Sequence, residues 1–280
     1  MSTNSFSDAG TFKSVFKWPG GKFAVINEIA RHMPQGERLI EPFVGGGSVF
    51  SNLRYPENIC ADVNGELINA YRVIKYKPDT LLLRLMELFT GGNNHEQFMS
   101  LRHKFNTDRE TLSDIECAAL FIYLNRHCYN GLMRYNLSGK FNVGFGDYKR
   151  PYLPMRELIH LSGKATSARF IHCGFSDTIA LAGIGDVIFC DPPYEPLPDT
   201  EGFTSYSSGR FTMSHQEALV THLKAARERG ARAVITNSSA PLIVELYRDN
   251  GLVVNPLLAR RSISSKASTR EYANDIIATL

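Results

Sequence analysis

No C-x-x-C pair occurs among the five cysteines of this chain (Cys60, Cys117, Cys128, Cys173 and Cys190), and no histidines accompany them at zinc spacing. A structural zinc site and a disulfide framework are therefore both excluded, and the pattern suits a reducing cytoplasm. No secretory leader precedes the cysteines. No apolar run approaches the roughly 20 residues that a membrane-spanning helix needs, so no membrane partner is expected. Net charge is low at +3, too small by itself to mark a nucleic-acid binder. Tryptophan occurs once, at Trp18. Nothing calls for a metal or an obligate protein partner.

What is present is enough chain, 280 residues, to bury a hydrophobic interior without cross-links. The polar start reads as a disordered tail over residues 1–12. Short apolar runs read as buried strands at Arg38 to Phe43, Asn58 to Asp62, Asp186 to Cys190, Ala233 to Asn237, Val253 to Leu258 and Asp275 to Leu280. Helical stretches separate most of them. Gly65 to Ile74 is one, Ser214 to Arg229 opens on a capping-box pattern at Ser214 and Glu217, and Pro241 to Asn250 stops at Gly251. The alternation implies an α/β fold with a mostly parallel, doubly wound sheet.

The middle of the chain breaks that rhythm. Pro78 to Phe89, His95 to Asn106 and Ser113 to Asn125 read as three successive helices, the last with a capping box at Ser113 and Glu116. A polar stretch rich in asparagine, glycine and aromatics follows. Residues 70–155 are therefore expected to form an inserted, mainly helical domain with a hairpin or loops, between the halves 13–69 and 156–280 of a sheet domain. From Arg126 to Arg150 there are five basic residues against one acid, Asp147, and a second basic cluster lies at Arg260, Arg261, Lys266 and Arg270.

Four segments carry chemistry. Asp191-Pro192-Pro193-Tyr194 directly follows the apolar run Val187 to Cys190, so it sits at a strand's carboxyl end, where open α/β sheets place ligands. Two prolines hold the backbone extended, so that Asp191 and a proline carbonyl present two acceptors side by side for an amino group's two donors. Tyr194 adds a flat face for a base drawn out of the helix. A rigid, acid-tipped turn is the alternative. Glu41-Pro42-Phe43-Val44-Gly45-Gly46-Gly47 is a glycine-rich turn after the first strand. It is neither a P-loop nor the dinucleotide fingerprint, and either lets backbone approach a cofactor or simply bends the chain. Asp62, 15 residues beyond Gly47, ends the second strand and could bind ribose hydroxyls or cap a helix. Lys17-Trp18-Pro19-Gly20-Gly21-Lys22 joins the single tryptophan to two cations, suited to covering a cofactor and neutralising its carboxylate, or to packing under a surface turn.

With Asn125-Arg126, Tyr129 to Leu132, Arg134-Tyr135-Asn136, Phe141-Asn142-Val143, Tyr148-Lys149 and Arg260 to Ser265, these segments resemble the Dam family of DNA adenine methyltransferases in the same order. The likeness runs from Phe16 to the C-terminus. It implies a Rossmann-like class I methyltransferase sheet that binds S-adenosyl-L-methionine, an inserted target-recognition domain, double-stranded DNA as partner, and GATC as preferred site, in a cytoplasmic enzyme of bacterial or phage origin. By resemblance, Trp18 and Lys22 go to the cofactor, Asp62 to its ribose, and Phe43, Gly45 and Gly47 to its turn. Asp191 lies where cofactor and base meet. Lys17 touches the first guanine, Leu132 and Arg134 read the far half of the site, and Tyr148 packs into the opened duplex. The family usually has proline where this chain has Gly144 and a basic residue where it has Asp147, and alanine is common at the position of Pro19.

The residues between Arg126 and Arg150 also suit groove recognition by type. Arginine and lysine, including Arg134 and Lys149, pair with guanine or phosphate, and asparagines such as Asn130 and Asn136 pair with adenine. A solvated insertion is the plainer alternative. The expected mechanism has Asp191 and the Pro192 carbonyl accept the amine's hydrogens as it becomes tetrahedral, aligned for in-line methyl transfer beside Tyr194. Two other readings stay open: a methyltransferase of another amino group, on cytosine, RNA or protein glutamine, and a non-catalytic DNA-binding protein that keeps the pocket.

Overall fold

The structure, a computed structural model, describes residues 10–194, 211–257 and 275–280. Its centre is a sheet of seven strands among those residues: β1 (Arg38–Glu41), β2 (Glu57–Asp62), β3 (Ala168–His172), β4 (Asp186–Cys190), β5 (Arg232–Ser238), β6 (Val253–Leu257) and β7 (Asp275–Thr279). They lie in the order β3-β2-β1-β4-β5-β7-β6. The first five run parallel to their neighbours, and β7 runs antiparallel between β5 and β6.

Alternate residues of one strand enter different cores. Leu39, Val187, Phe189, Val234 and Ile277 face one side, while Ile40, Ile188, Cys190, Ile235 and Ile276 face the other. Such alternation in strands that are apolar throughout means a sheet covered on both faces. The ten helices among the described residues supply the cover: α1 (Ile26–His32), α2 (Ser48–Asn52), α3 (Gly65–Tyr76), α4 (Pro78–Phe89), α5 (His95–Thr107), α6 (Asp114–His127), α7 (Met155–Ala165), α8 (Phe175–Ala180), α9 (Met213–Glu228) and α10 (Pro241–Asp249). The first core continues without a break from the sheet through Ile68 and Tyr71 of α3 to Phe98, Phe105 and Phe121 of α5 and α6. Among the described residues, no helix is long and apolar enough to cross a membrane.

The three successive helices stand where the sequence put them. Ser113 Oγ accepts from Glu116 N at 3.2 Å and caps α6, but the Glu116 carboxylate is taken by Arg84 and Lys104, which hold its pKa down at about 2. The cap of α9 is corrected. It is Thr212, paired reciprocally with His215, rather than Ser214 with Glu217. Of the expected tail, residues 1–9 lie outside the described residues, while Phe12 is fixed, stacking on His160 and exchanging two hydrogen bonds with Asn52. α3 runs unbroken across residue 70, where the insertion was expected to begin. Strand β3 and helices α1, α7 and α8 were not anticipated. In β3, exposed Arg169 interrupts the apolar pattern of an edge strand that is buried on one side. Leu258 and the basic cluster from Arg260 to Arg270, with the segment Arg260 to Ser265, lie outside the described residues.

After α6 the chain forms a loose ribbon rather than regular strands. Bridges join Cys128 to Phe145 and Tyr135 to Phe141, and Asn142 N donates to Arg134 O at 3.1 Å.

Candidate active site

Strand order reverses between β1 and β4, because β1 continues to β2 on one side while β4 continues to β5 on the other. Ligand crevices in open sheets form at this point, at the carboxyl ends of the strands. Glu41 and Asp191 both emerge there. Asp191 Oδ1 lies 2.8 Å from Lys22 Nζ, which also donates to Gly20 O at 2.7 Å and stands 5.0 Å from the centre of the Tyr194 ring. The tetrad and the Lys17–Lys22 turn therefore form one cluster. Lys22, expected at a cofactor carboxylate, pairs with Asp191, and two of its three donors are engaged.

Burial pushes the Asp191 carboxyl up, while the Lys22 cation and the hydroxyl of Thr236 pull it down. Tyr194 OH donates to Asp275 Oδ2 at 3.1 Å. Because β7 is antiparallel, its first residue, Asp275, lies at the carboxyl edge of the others, opposite Ser238. The Pro193 carbonyl accepts from Gln216 Nε2 at 3.4 Å, and Asn237 Nδ2 holds Gln216 Oε1 at 3.1 Å and Tyr247 OH at 2.9 Å. The Pro192 carbonyl is left without a partner among the described residues. Thr236, Asn237, Gln216 and Asp275 escaped the sequence reading. Their signal was the polar pair Thr236-Asn237 ending an otherwise apolar strand.

The glycine turn follows β1. Gly45 N donates to Asp62 Oδ2 at 3.1 Å and Asn64 N to Asp62 Oδ1 at 3.0 Å, so Asp62 stands beside the turn, its pKa raised by burial against those amides. Asn64, not Asp62, caps α3. Gly45 (φ +45) and Gly47 (φ +68) are left-handed, and added Cβ atoms would lie 2.7 Å from Trp18 Nε1 and 2.5 Å from Tyr71 OH. Trp18 thus packs on the turn. Phe43 sits in an aromatic cluster, 5.6 Å from both Phe175 and Phe211. Glu41 is 2% exposed, with Oε1 unpartnered among the described residues, and burial, aided by Asp191, pushes its pKa to about 8.

The residues expected at DNA gather on the ribbon. Lys17 Nζ lies 3.9 Å over the Tyr148 ring, whose hydroxyl donates to Cys128 O at 3.0 Å. Asn130 is exposed and left-handed (φ 52), and Leu132 is half-buried against the core. Arg134 is exposed, its Nε donating to Asn142 Oδ1 at 3.0 Å. Asn136 Oδ1 is occupied by its own turn, accepting from Ser138 and Lys140. Lys149 and Asp147 are exposed. Buried Asn125 ties the two segments together, exchanging hydrogen bonds with the Lys17 backbone and donating to Gly131 O at 3.0 Å.

This sheet order, with a glycine turn after β1, an acid after β2 and a tetrad after β4, is that of a Rossmann-like class I methyltransferase. The family model for D12 class N6 adenine-specific DNA methyltransferases matches residues 18–260, and the chain belongs to that family. It is 49% identical over 268 residues to a DNA N-6-adenine-methyltransferase of Escherichia phage P1, covering 96% of this chain and 35% of that one. It is 43% identical to a DNA adenine methylase of Serratia marcescens (95% and 97% covered) and 41% identical to one of Escherichia coli strain K12 (95% and 94%). The chain thus spans about a third of the phage relative, at 35%, and nearly all of the two bacterial ones, at 97% and 94%.

Proposed function

We propose that this protein transfers a methyl group from S-adenosylmethionine to the 6-amino group of adenine in duplex DNA, within GATC, after turning the base out of the helix. The observation that carries the reading is the paired-acceptor edge at the tetrad. Asp191 stands braced beside a Pro192 carbonyl that has no partner among the described residues, in a chain of this family. When bound, the cofactor supplies an electrophilic methyl on a sulfonium centre. The residues present fit it. Left-handed Gly45 and Gly47 carry no side chains of their own and let Trp18 and Tyr71 close on the turn's backbone, Asp62 stands beside them for ribose hydroxyls, and Trp18, Phe43 and the third donor of Lys22 are grouped around it.

The adenine amine is a weak nucleophile because its lone pair is delocalised into the ring. Asp191 and the Pro192 carbonyl accept hydrogen bonds from its two N–H groups and favour a tetrahedral nitrogen with the lone pair localised on it, while Tyr194 offers its face to the extruded base. Once that nitrogen has gained the methyl it is cationic and gives up one of those protons to Asp191 or to solvent. These acceptors are pre-oriented, so little reorganisation is needed at the moment of reaction. Beside the ribbon, Lys17 touches the first guanine; on it, Leu132 and Arg134 read the far half of the site, Tyr148 packs into the opened duplex, and Asn130, Lys149 and the Nδ2 of Asn136, whose Oδ1 is taken by its own turn, meet bases or phosphates. With DNA as substrate, the working place of the protein is the cytoplasm of a bacterium or of a phage-infected cell.

Expression in a strain that lacks adenine methylation, followed by mapping of methylated adenines, tests the proposal. Methyl groups on the adenine of GATC are expected. Methylated adenine in a different motif would overturn the GATC assignment and keep the chemistry; methylated cytosine, or no methylated base, would overturn the substrate.

A further inference from the structure

The two oxygens of Asp191 are treated unequally. Oδ1 accepts from Lys22 Nζ at 2.8 Å and from Thr236 Oγ1 at 2.8 Å. Oδ2 has no hydrogen bond among the described residues, and the side chain keeps 20% exposure. Thr236 arrives from β5, the neighbour of β4. Cys190 pairs with Ile235 in the ladder, so the next residue of each strand, Asp191 and Thr236, meet just past its end. The threonine is fully buried, and its branched β-carbon restricts the hydroxyl to few rotamers. That hydroxyl has one proton to give. The charged carboxylate at 2.8 Å takes it in preference to the Cys190 carbonyl at 3.4 Å.

We propose that Thr236 is a positioning residue for methyl transfer: by holding Asp191 Oδ1 from a rigid strand, it aims Oδ2 at the amine of the target base. The inference rests on the adenine reading above. Lys22 alone does not fix the carboxylate in the same way, since an ammonium on a flexible four-carbon stem is a point charge with no set direction. Lys22 also has the cofactor carboxylate as a second claimant, and whenever it turns there, Thr236 is the remaining donor to Asp191. Among the described residues, the charged and titratable groups around Asp191 are Lys22 from the N-terminal turn, Glu41 from β1, Cys190 from β4, Asp275 from β7, Tyr247 from α10 and Tyr194 from its own turn. The hydroxyl favours the ionised carboxylate, so its removal shifts the protonation of Asp191 to higher pH.

The test is single-turnover methylation of a duplex bearing the target site by the wild type, Thr236→Val and Thr236→Ser. Cofactor and DNA dissociation constants and the pH profile of the rate are measured alongside. Valine keeps shape and loses the hydroxyl; serine keeps the hydroxyl. Thr236→Val is expected to slow the step by roughly tenfold to a hundredfold, with both dissociation constants near wild type and the acid limb moved to higher pH. Thr236→Ser should stay within about threefold of wild type. A valine variant as fast as wild type, a serine variant as slow as valine, or a loss carried wholly by weaker binding would overturn the inference. Thermal unfolding checks the fold, and Thr236→Ala asks the same question if valine is not accommodated. An inactive wild type would remove the adenine reading itself rather than the role of Thr236.

Discussion

The carboxyl edge of the sheet and the ribbon from Cys128 to Arg150, to which we assign chemistry and DNA recognition, are held in opposite ways. At the sheet edge, side chains brace one another: Thr236 and Lys22 hold Asp191, Asp275 holds Tyr194, and Gln216 with Asn237 holds the Pro193 carbonyl. On the ribbon, support comes from beneath and goes to backbone. Asn106 exchanges hydrogen bonds with Phe141, Arg102 donates to Val143 O at 3.0 Å, and Asn93 donates to the Gly146 and Tyr148 carbonyls at 2.9 and 2.8 Å. The upper side chains, Tyr129, Asn130, Arg134, Leu137 and Lys149 among them, stay exposed. The difference separates two tasks. Chemistry requires acceptors fixed before the substrate arrives, whereas recognition requires side chains that can change without disturbing the fold.

Asp191→Ala applies the sharpest test to that division. Both the oriented acceptor and the partner of Lys22 disappear, so methyl transfer is expected to be abolished. Binding to a duplex that carries the site should persist, because the ribbon is untouched. Substantial activity in a labelled-methyl assay would show that the braced edge is not where the chemistry occurs.

Arg134→Ala should do the reverse. The side chain is exposed and its one hydrogen bond among the described residues is to Asn142, so stability is expected to change by no more than about 0.5 kcal/mol. Discrimination against a wrong base at one position should fall by about 1–3 kcal/mol, measured as the ratio of kcat/KM on matched and altered duplexes. An equal loss on every duplex would make Arg134 a phosphate contact and blur the distinction.

The two regions were not equally legible in the sequence. The tetrad, the glycine turn and Asp62 could be read because each is a short motif fused to a strand end, and strands such as Val187 to Cys190 announce themselves by apolar runs. α4 and α5 were readable from their 3.6-residue pattern, and α6 also from its Ser113 cap. What escaped were partners brought from far along the chain. Thr236 lies 45 residues from Asp191, Asn125 lies 108 from Lys17, and Asp275 lies 81 from Tyr194. Neither Thr236 nor Asp275 sits in a motif of its own, and only the sheet order makes Asp275 a neighbour of the tetrad; Asn125 was visible in the pair Asn125-Arg126, but its tie to Lys17 was not. The α9 cap was misplaced by local rules for a similar reason. Ser214 and Glu217 match the usual spacing, but Thr212 and His215 form the box two residues earlier, so that Ser214 already lies inside the helix.

Asp147 offers the smallest and most selective perturbation. It is exposed, forms no ion pair among the described residues, and lies between Lys17–Tyr148 and Lys149, in a stretch otherwise short of negative charge. An acid there opposes the phosphate backbone without touching the sheet. Asp147→Arg should therefore tighten DNA binding and steepen the slope of log affinity against log salt by about 1, if the new guanidinium reaches one phosphate. The single-turnover methylation rate at saturating DNA should not move, because Asp191, Lys22 and Thr236 are unaffected. A change in that rate with an unchanged salt slope would place Asp147 in communication with the sheet edge, and the two regions would then have to be treated as one device.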